Sequence, residues 1–306
     1  MRNISISILS ILFFCQDVPA FEQKIIVVQS CSLRPYEEAI NGFESAVGQK
    51  TQRLIISELQ GEVVEEKINK INPDLILSVG TKALSRIKHI NTIPIVYLMI
   101  LNPCSIVSCS KKNITGVSMN ISQEWQLRVI EGIFPAIQQI GILYDDEKTG
   151  SFVKRALKAS QTSRIKIIAE NINTSKEVTP AMIKMKEKID FFWMFPDVTV
   201  FTPETIEFLF LFSMENQIPV LTFSTNYLDW GALISIVIDA FDMGRQAGEI
   251  AEQIFSGTDV ESIKSMDAKG KKIYINKKIA EKMGFSIDEN FIEKFKQNFG
   301  QTIKLL

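Results

Sequence analysis

The stretch Asn72–Leu84, NPDLILSVGTKAL, constrains the fold more than any other. A Pro-Asp turn leads into five apolar or small residues, Leu75–Val79, and Gly80-Thr81 then halts the run before helix-like spacing begins near Lys82. A short run without polar alternation is a strand covered on both faces, as in a parallel sheet flanked by helices. Its exit into a helix would point unpaired backbone N–H groups and the positive end of the helix dipole above the sheet. Ser78 and Thr81 would add hydroxyls there. Two readings follow: a tip that receives a carboxylate or similar anion, or a turn whose hydroxyls only cap the helix.

The same unit recurs along the chain. Lys24–Gln29 is a strand, followed by the loop Ser30–Pro35 and an amphipathic stretch to about Val47. Leu54–Leu59 is a shorter β-like run, Glu62–Ile71 has helical spacing, and Ile93–Leu101 reads as a buried strand ending at Asn102-Pro103. After the turn-rich Lys111–Ser118 and a helix over Gln123–Phe134, the rhythm restarts. Strands are expected at Gln139–Tyr144, Ile165–Glu170, Asp190–Phe195 and Ile218–Phe223, and helices at Gly150–Gln161, Thr179–Lys188 and Pro203–Asn216. The tail mixes strands at Ala232–Ile238 and Lys272–Ile275 with helices at Met243–Phe255, Ile279–Gly284 and Glu289–Phe299. The pattern predicts an α/β protein of two doubly wound parallel-sheet lobes, with a tail too short for a third domain completing both. Expected boundaries are 24–118 plus about 232–262 for the first lobe and 119–228 plus about 270–300 for the second. The chain would then cross between lobes about three times, near Val117–Gln123, Ser224–Leu233 and Met266–Ile275, forming a hinged cleft.

The chain of 306 residues is long enough for two such cores. Its first twenty residues differ: Arg2, the apolar Ile4–Phe14 and Val18-Pro19-Ala20 read as a secretory signal cut near Ala20, the alternative being an uncleaved anchor. Leu12-Phe13-Phe14 is too bulky a lead into Cys15 for a lipoprotein cleavage box. The signal carries one basic and one acidic residue, Arg2 and Asp17, so its removal leaves the formal charge at −1. No polybasic run invites nucleic acid. With no later apolar stretch long enough to span a bilayer, the mature chain is expected to be soluble outside the cytoplasm. Three cysteines remain there. Cys104 and Cys109 suit a local bridge across a loop, leaving Cys31.

Ligands of open α/β sheets sit beyond the carboxyl ends of the strands. Those ends supply the candidate binding residues: Ser32, Ser78, Gly80, Thr81, Asn102, Tyr144, Asp197, Phe223 and Asp239. Asp197, just past an apolar run, either pairs with a ligand ammonium or caps a turn. Tyr144, Phe195, Phe223 and Trp230 could wall an apolar side chain or belong to the core. The pair Asp145-Asp146 reads as a solvated loop, and the lone His89 as a surface residue. No nucleophile elbow, phosphate loop, zinc helix or dinucleotide fingerprint occurs, which argues against an enzyme, a metal centre and a bound cofactor.

Taken in order, PDLILSVGTKAL, IPIVYLMILNP, KNITGVS, IGILYDDEKTGS, IPVLTFS, GALISIVIDAFDMGRQAGEIAEQIFSG and KIYINKKIAEKMGF resemble the extracytoplasmic substrate-binding proteins of ABC transporters, in the branch of tryptophan- and phenylalanine-binding proteins. The resemblance spans Lys24 to about Phe295. It implies a type I periplasmic-binding-protein fold, a periplasmic or extracytoplasmic location, and a monomer. The protein would deliver an amino acid or related carboxylate to a membrane ABC permease. Carried over by position, Ser78, Gly80 and Thr81 would bind the carboxylate, and Asp197 would match an acidic residue that follows a proline. Departures at Asn102-Pro103-Cys104, where the family has Asp-Pro-Val, and at Ser108–Lys112 lie near the cleft and imply a different ligand. A receptor for a membrane sensor kinase, or a secreted enzyme using Asp145 and Asp197, are the rival expectations.

Overall fold

The computed structural model describes residues 23–59, 63–108, 111–299 and 302–306, so the segment expected to be a secretory signal, residues 1–20, and Cys109 lie outside the described residues. The first half winds as β1 (Ile25–Gln29), α1 (Arg34–Val47), β2 (Gln52–Ile55), α2 (Val64–Ile71), β3 (Leu75–Val79), α3 (Thr81–Ile87), β4 (Ile95–Leu98) and β5 (Ile114–Ser118). The second half follows as α4 (Gln123–Ile133), β6 (Gln139–Tyr144), α5 (Gly150–Ser160), β7 (Lys166–Asn171), α6 (Val178–Met185), β8 (Phe191–Trp193), α7 (Pro203–Asn216), β9 (Val220–Thr222) and β10 (Ile234–Ile238). The tail adds α8 (Ala240–Phe255), β11 (Met266–Asp267), β12 (Lys271–Ile275), α9 (Lys277–Lys282), α10 (Glu289–Phe299) and β13 (Thr302–Leu305).

Two sheets result. The first has the order β11-β5-β4-β3-β1-β2, all parallel, and the second β13-β12-β10-β9-β8-β6-β7, parallel except where β12 runs against β10. Read from β2 and from β7, both contain the doubly wound order 2-1-3-4-5, whose switch point lies between the first and third strands of the set. The two halves are therefore wound alike, as the repeating strand and helix pattern requires.

Alternation along each strand divides its side chains between two helical layers. In β1 and β3, Ile25, Val27, Leu75 and Leu77 pack with Ala39, Ile40 and Phe43 of α1 and Met243, Ala247 and Ile250 of α8. On the opposite face, Ile26, Val28 and Ile76 meet Val64 and Ile68 of α2 and Leu84 and Ile87 of α3. The second sheet repeats this arrangement. Phe191 and Trp193 face α4, α5 and α10, whereas Phe192 and Met194 face α6 and α7. α1 and α8 cross so closely that a Cβ built on Gly244 would stand 1.8 Å from the Ala39 carbonyl oxygen, and one on Gly42 2.0 Å from that of Phe241. Glycine is required there because nothing larger lets the backbones meet.

The chain passes between the sheets at Ser118–Gln123, at Ile238–Ala240 and at Asp267–Lys271. The strand Ile234–Ile238, expected in the first lobe, lies instead in the second sheet, between β9 and β12. Ile234 and Ile236 fill the second core and Ile238 touches the first, so this crossing falls after the strand rather than before it. An apolar run suits either sheet equally well, and only its neighbours decide between them. The crossings at β5 and β10 leave from strand carboxyl ends, one in each sheet, which turns both sets of tips toward the junction.

Hydrogen bonds tie the crossings together. Asp267 Oδ1 accepts from the Ser118 hydroxyl and, at 3.3 Å, from Asn120 Nδ2. Asp239 N donates to the Gly270 carbonyl at 2.8 Å, and Gly270 N donates to Asp242 Oδ2 at 3.0 Å.

Candidate functional site

On the first lobe, the switch-point tips are Gln29–Ser32 and Val79–Thr81. Ser30 N donates to the Val79 carbonyl at 2.9 Å, and Gly80 N to that of Leu98 at 3.0 Å, which locks three tips in register. Gly80 sits at φ 88°, a left-handed value that turns the strand sharply into α3 and disfavours any side chain. Ser30 Oγ accepts from Ala83 N at 3.0 Å and donates to Val79 O at 3.2 Å, so Ser30 rather than Ser78 caps this helix. Thr81 and Ser32 are exposed at the tip. Ser78 is fully enclosed within β3 on the α2 and α3 side, and its hydroxyl has no partner among the described residues.

The loop after β4 is conformationally unusual. Met99 and Asn102 adopt φ 58° and 53°, and backbone held in this region by residues other than glycine tends to collect at ligand clamps and switches. Asn102 N donates to Asn120 Oδ1 at 3.3 Å, which links this loop to the first crossing. Leu101 packs against the core of the second lobe, so the loop bridges the two bodies.

The second lobe's switch point lies between β6 and β8 and is occupied by a buried carboxylate network. Asp197 Oδ2 accepts from Asp145 N at 2.9 Å and from Thr149 Oγ1 at 2.5 Å. Its Oδ1 accepts from Thr199 N at 2.9 Å and Val200 N at 3.3 Å. These four bonds use the four acceptor positions of a carboxylate. Asp197 therefore ties the tip of β6 to the loop after β8. Asp145, expected in a solvated loop, is buried. Its Oδ2 accepts from Thr199 Oγ1 at 2.7 Å and its Oδ1 from Glu147 N at 3.0 Å. The Thr199 hydroxyl bond outweighs burial and holds its pKa below the ordinary aspartate value. The expectation fails because a second β-strand tip lies over it, a neighbour 52 residues away in sequence. Asp146 is exposed and pairs with Lys154 at 3.1 Å.

The remaining candidates divide. Tyr144 ends β6, half-buried against the second core. Phe223 stands at the tip of β9, with its ring 6.5 Å from Phe201 and 5.8 Å from Tyr227. Phe195 is not a cleft wall: it is 3% exposed and stacked on Trp193 at 4.8 Å. Trp230 is half exposed beside Phe210. Asp239 caps α8 through Phe241 N and Asp242 N and pairs with Lys272 at 3.0 Å, so it belongs to the hinge. Cys104 is disulfide-bonded and Cys31 is free. Among the described residues, no group of three or more His, Cys, Asp or Glu could hold a metal ion. No helix of the described residues is long and apolar enough to cross a membrane.

Residue-by-residue reading of the sequence missed Tyr36. It sits in the first turn of α1, next to the switch point, yet in sequence it is one aromatic within an amphipathic stretch and carries no motif. Only the approach of α1 to the tip of β3 sets it beside Gly80.

Two doubly wound lobes, joined by three crossings and meeting at their strand tips, define a two-lobed binding protein of the type I periplasmic-binding-protein fold. Residues 50–298 match the family described as ABC transporter substrate binding protein. The chain belongs to that family. A tyrosine-binding protein of Clostridioides difficile (strain R20291) is 25% identical over 211 residues, which cover 66% of this chain and 61% of that protein. The chain thus spans less than two thirds of that relative's length. The ligand-free, open structure of a Clostridium difficile substrate binding protein with adhesive properties superposes with a TM-score of 0.74 at 20% identity, over 93% of this chain and 99% of the other. The ABC domain in complex with L-Trp from Streptococcus pneumonia superposes with a TM-score of 0.65 at 22% identity, over 92% and 99%.

Proposed function

We propose that this protein captures a free amino acid or a close carboxylate analogue between its lobes and presents it to a membrane ABC permease, without chemical turnover. The reading is carried by two sheets of the same doubly wound order whose crossings leave from strand carboxyl ends, so that two switch points, each the place where an open α/β sheet binds its guest, would flank one junction. The names of the tyrosine-binding relative and of the tryptophan complex favour an aromatic side chain, over the different ligand that the departures at Asn102-Pro103-Cys104 and Ser108–Lys112 imply. On the first lobe, Ser32, Gly80 and Thr81 receive the carboxylate, with Asn102 beside them. On the second, Tyr144 and Phe223 face the side chain. Asp197 and Asp239 hold the second tip and the hinge in shape, and Ser78 stays enclosed within β3. Residues 1–20 act as the export signal, which gives the mature chain an extracytoplasmic location, where it works as a monomer.

Closure would exchange water at both tips for the guest, and a guest lacking the expected polar groups would leave buried donors unmatched. Calorimetric titration of the mature chain with the twenty amino acids, alongside X-ray scattering, tests this. The expected result is saturable binding of an aromatic amino acid with a smaller radius of gyration in the complex. Absence of heat from every amino acid, with an unchanged scattering profile, overturns the reading.

A further inference from the structure

We propose that Tyr36 is a ligand-contacting, specificity-determining residue of the cleft, its hydroxyl donating to the carboxylate of the guest. This deepens the amino-acid-capture reading and rests on it. Tyr36 is half-buried, and its ring is anchored against the core formed by β1, β3 and α1. Its hydroxyl reaches the tip of β3: a Cβ built on Gly80 would stand 2.5 Å from Tyr36 Oη and 2.7 Å from Ser30 Oγ. Ser30 already donates to Val79 and accepts from Ala83, so its hydroxyl is committed to the fold. Tyr36 Oη makes no hydrogen bond to a described residue and, unlike the enclosed Ser78 hydroxyl, is not sealed from solvent at the switch point. A polar group fixed in place by its ring and left unpaired at a strand tip is pre-organised for an outside partner.

The surroundings select an acceptor. Burial, reinforced by nearby Cys31, raises the phenol's pKa above its ordinary value, so it remains an O–H donor at neutral pH. The carboxylates of the same helical turn are engaged elsewhere. Glu37 bonds Gln29 at 3.1 Å and pairs with Arg53, and Glu38 bonds Arg34 at 3.1 Å. What the tip offers besides Tyr36 are the exposed hydroxyls of Ser32 and Thr81. Hydroxyl donors without a free anion among them suit a carboxylate and give an ammonium no counter-charge. Gly80 has a second reason to lack a side chain, since any Cβ there would displace the phenol.

Tyr36→Phe keeps the ring and deletes only the hydroxyl, so the core packing is left intact. Calorimetric titration of the wild type and Y36F with L-tyrosine and L-tryptophan, and with the corresponding amides, tests the assignment. Y36F is expected to bind the free amino acids about tenfold more weakly. Its thermal midpoint should match the wild type. The loss should shrink for the amides, whose neutral carbonyl is a weaker acceptor; amides that fail to bind even the wild type also support carboxylate recognition. Y36F affinity within about twofold of the wild type, or an equal loss for acids and amides, overturns the role of Tyr36 and leaves amino-acid capture standing. A wild type that binds no amino acid overturns both.

Discussion

Replacing Asp197 with Ala probes the second lobe's switch point directly. The carboxylate is 2% exposed and accepts four hydrogen bonds, from Asp145 N, Thr149 Oγ1, Thr199 N and Val200 N. Alanine strands the buried Asp145 and Val200 amides without an acceptor. The Thr199 amide is nearer solvent, and the Thr149 hydroxyl can rotate to another partner. Each orphaned buried donor costs about 1–3 kcal/mol, so two imply a loss of about 4 kcal/mol. At roughly 2–4 °C per kcal/mol for a body of this size, the thermal midpoint should fall by about 10 °C. Asp197→Asn keeps one oxygen for Thr199 and Val200 but turns an NH2 toward Asp145 N, and should lose roughly half as much. Differential scanning calorimetry with urea titration gives the stabilities, and amino-acid titration gives the affinities. A D197A midpoint within about 2 °C of the wild type, with binding abolished in both variants, would refute the reasoning and make Asp197 a direct ligand contact.

Two further perturbations test the first lobe. Gly244→Ala drives a methyl group into the Ala39 carbonyl where α8 crosses α1. It should destabilise that lobe by about 2–4 kcal/mol, checked by urea unfolding; a change under about 1 kcal/mol would show that the helices can separate freely. Glu44 is buried in α1. Burial alone would raise its pKa, but bonds from Lys50 and Thr51 override it and leave the pKa below the ordinary glutamate value. A lowered folded-state pKa stabilises above the unfolded value and is lost as pH falls through the folded one. Glu44→Gln should therefore lower stability at neutral pH, and the gap to the wild type should close below about pH 4, followed by urea midpoints across pH. A gap independent of pH would remove the carboxylate from the explanation.

The strands and helices were legible because their residues answer to local rules. Leu75–Val79, Gln139–Tyr144 and Pro203–Asn216 fall where apolar runs and helical spacing put them. Shorter elements slipped. The run Ile93–Leu101 yields a strand of only Ile95–Leu98, because Met99 and Asn102 turn left-handed where the tip meets the hinge. β11 and β13, two and four residues long, escape periodicity altogether.

The amino-acid order alone determined the class of fold. Unbroken apolar runs alternating with amphipathic segments can bury their surfaces only as parallel sheets between helices, and two such series give two lobes. Tertiary structure decided how polar atoms are spent. Asp145 and Asp197 meet across 52 residues of chain, Ser30 takes the capping role that Ser78 was expected to share, and Tyr36 comes to rest over Gly80. A hydroxyl or carboxylate satisfied by the fold differs from one left for a ligand only in what lies within about 3 Å, and sequence distance carries no trace of that.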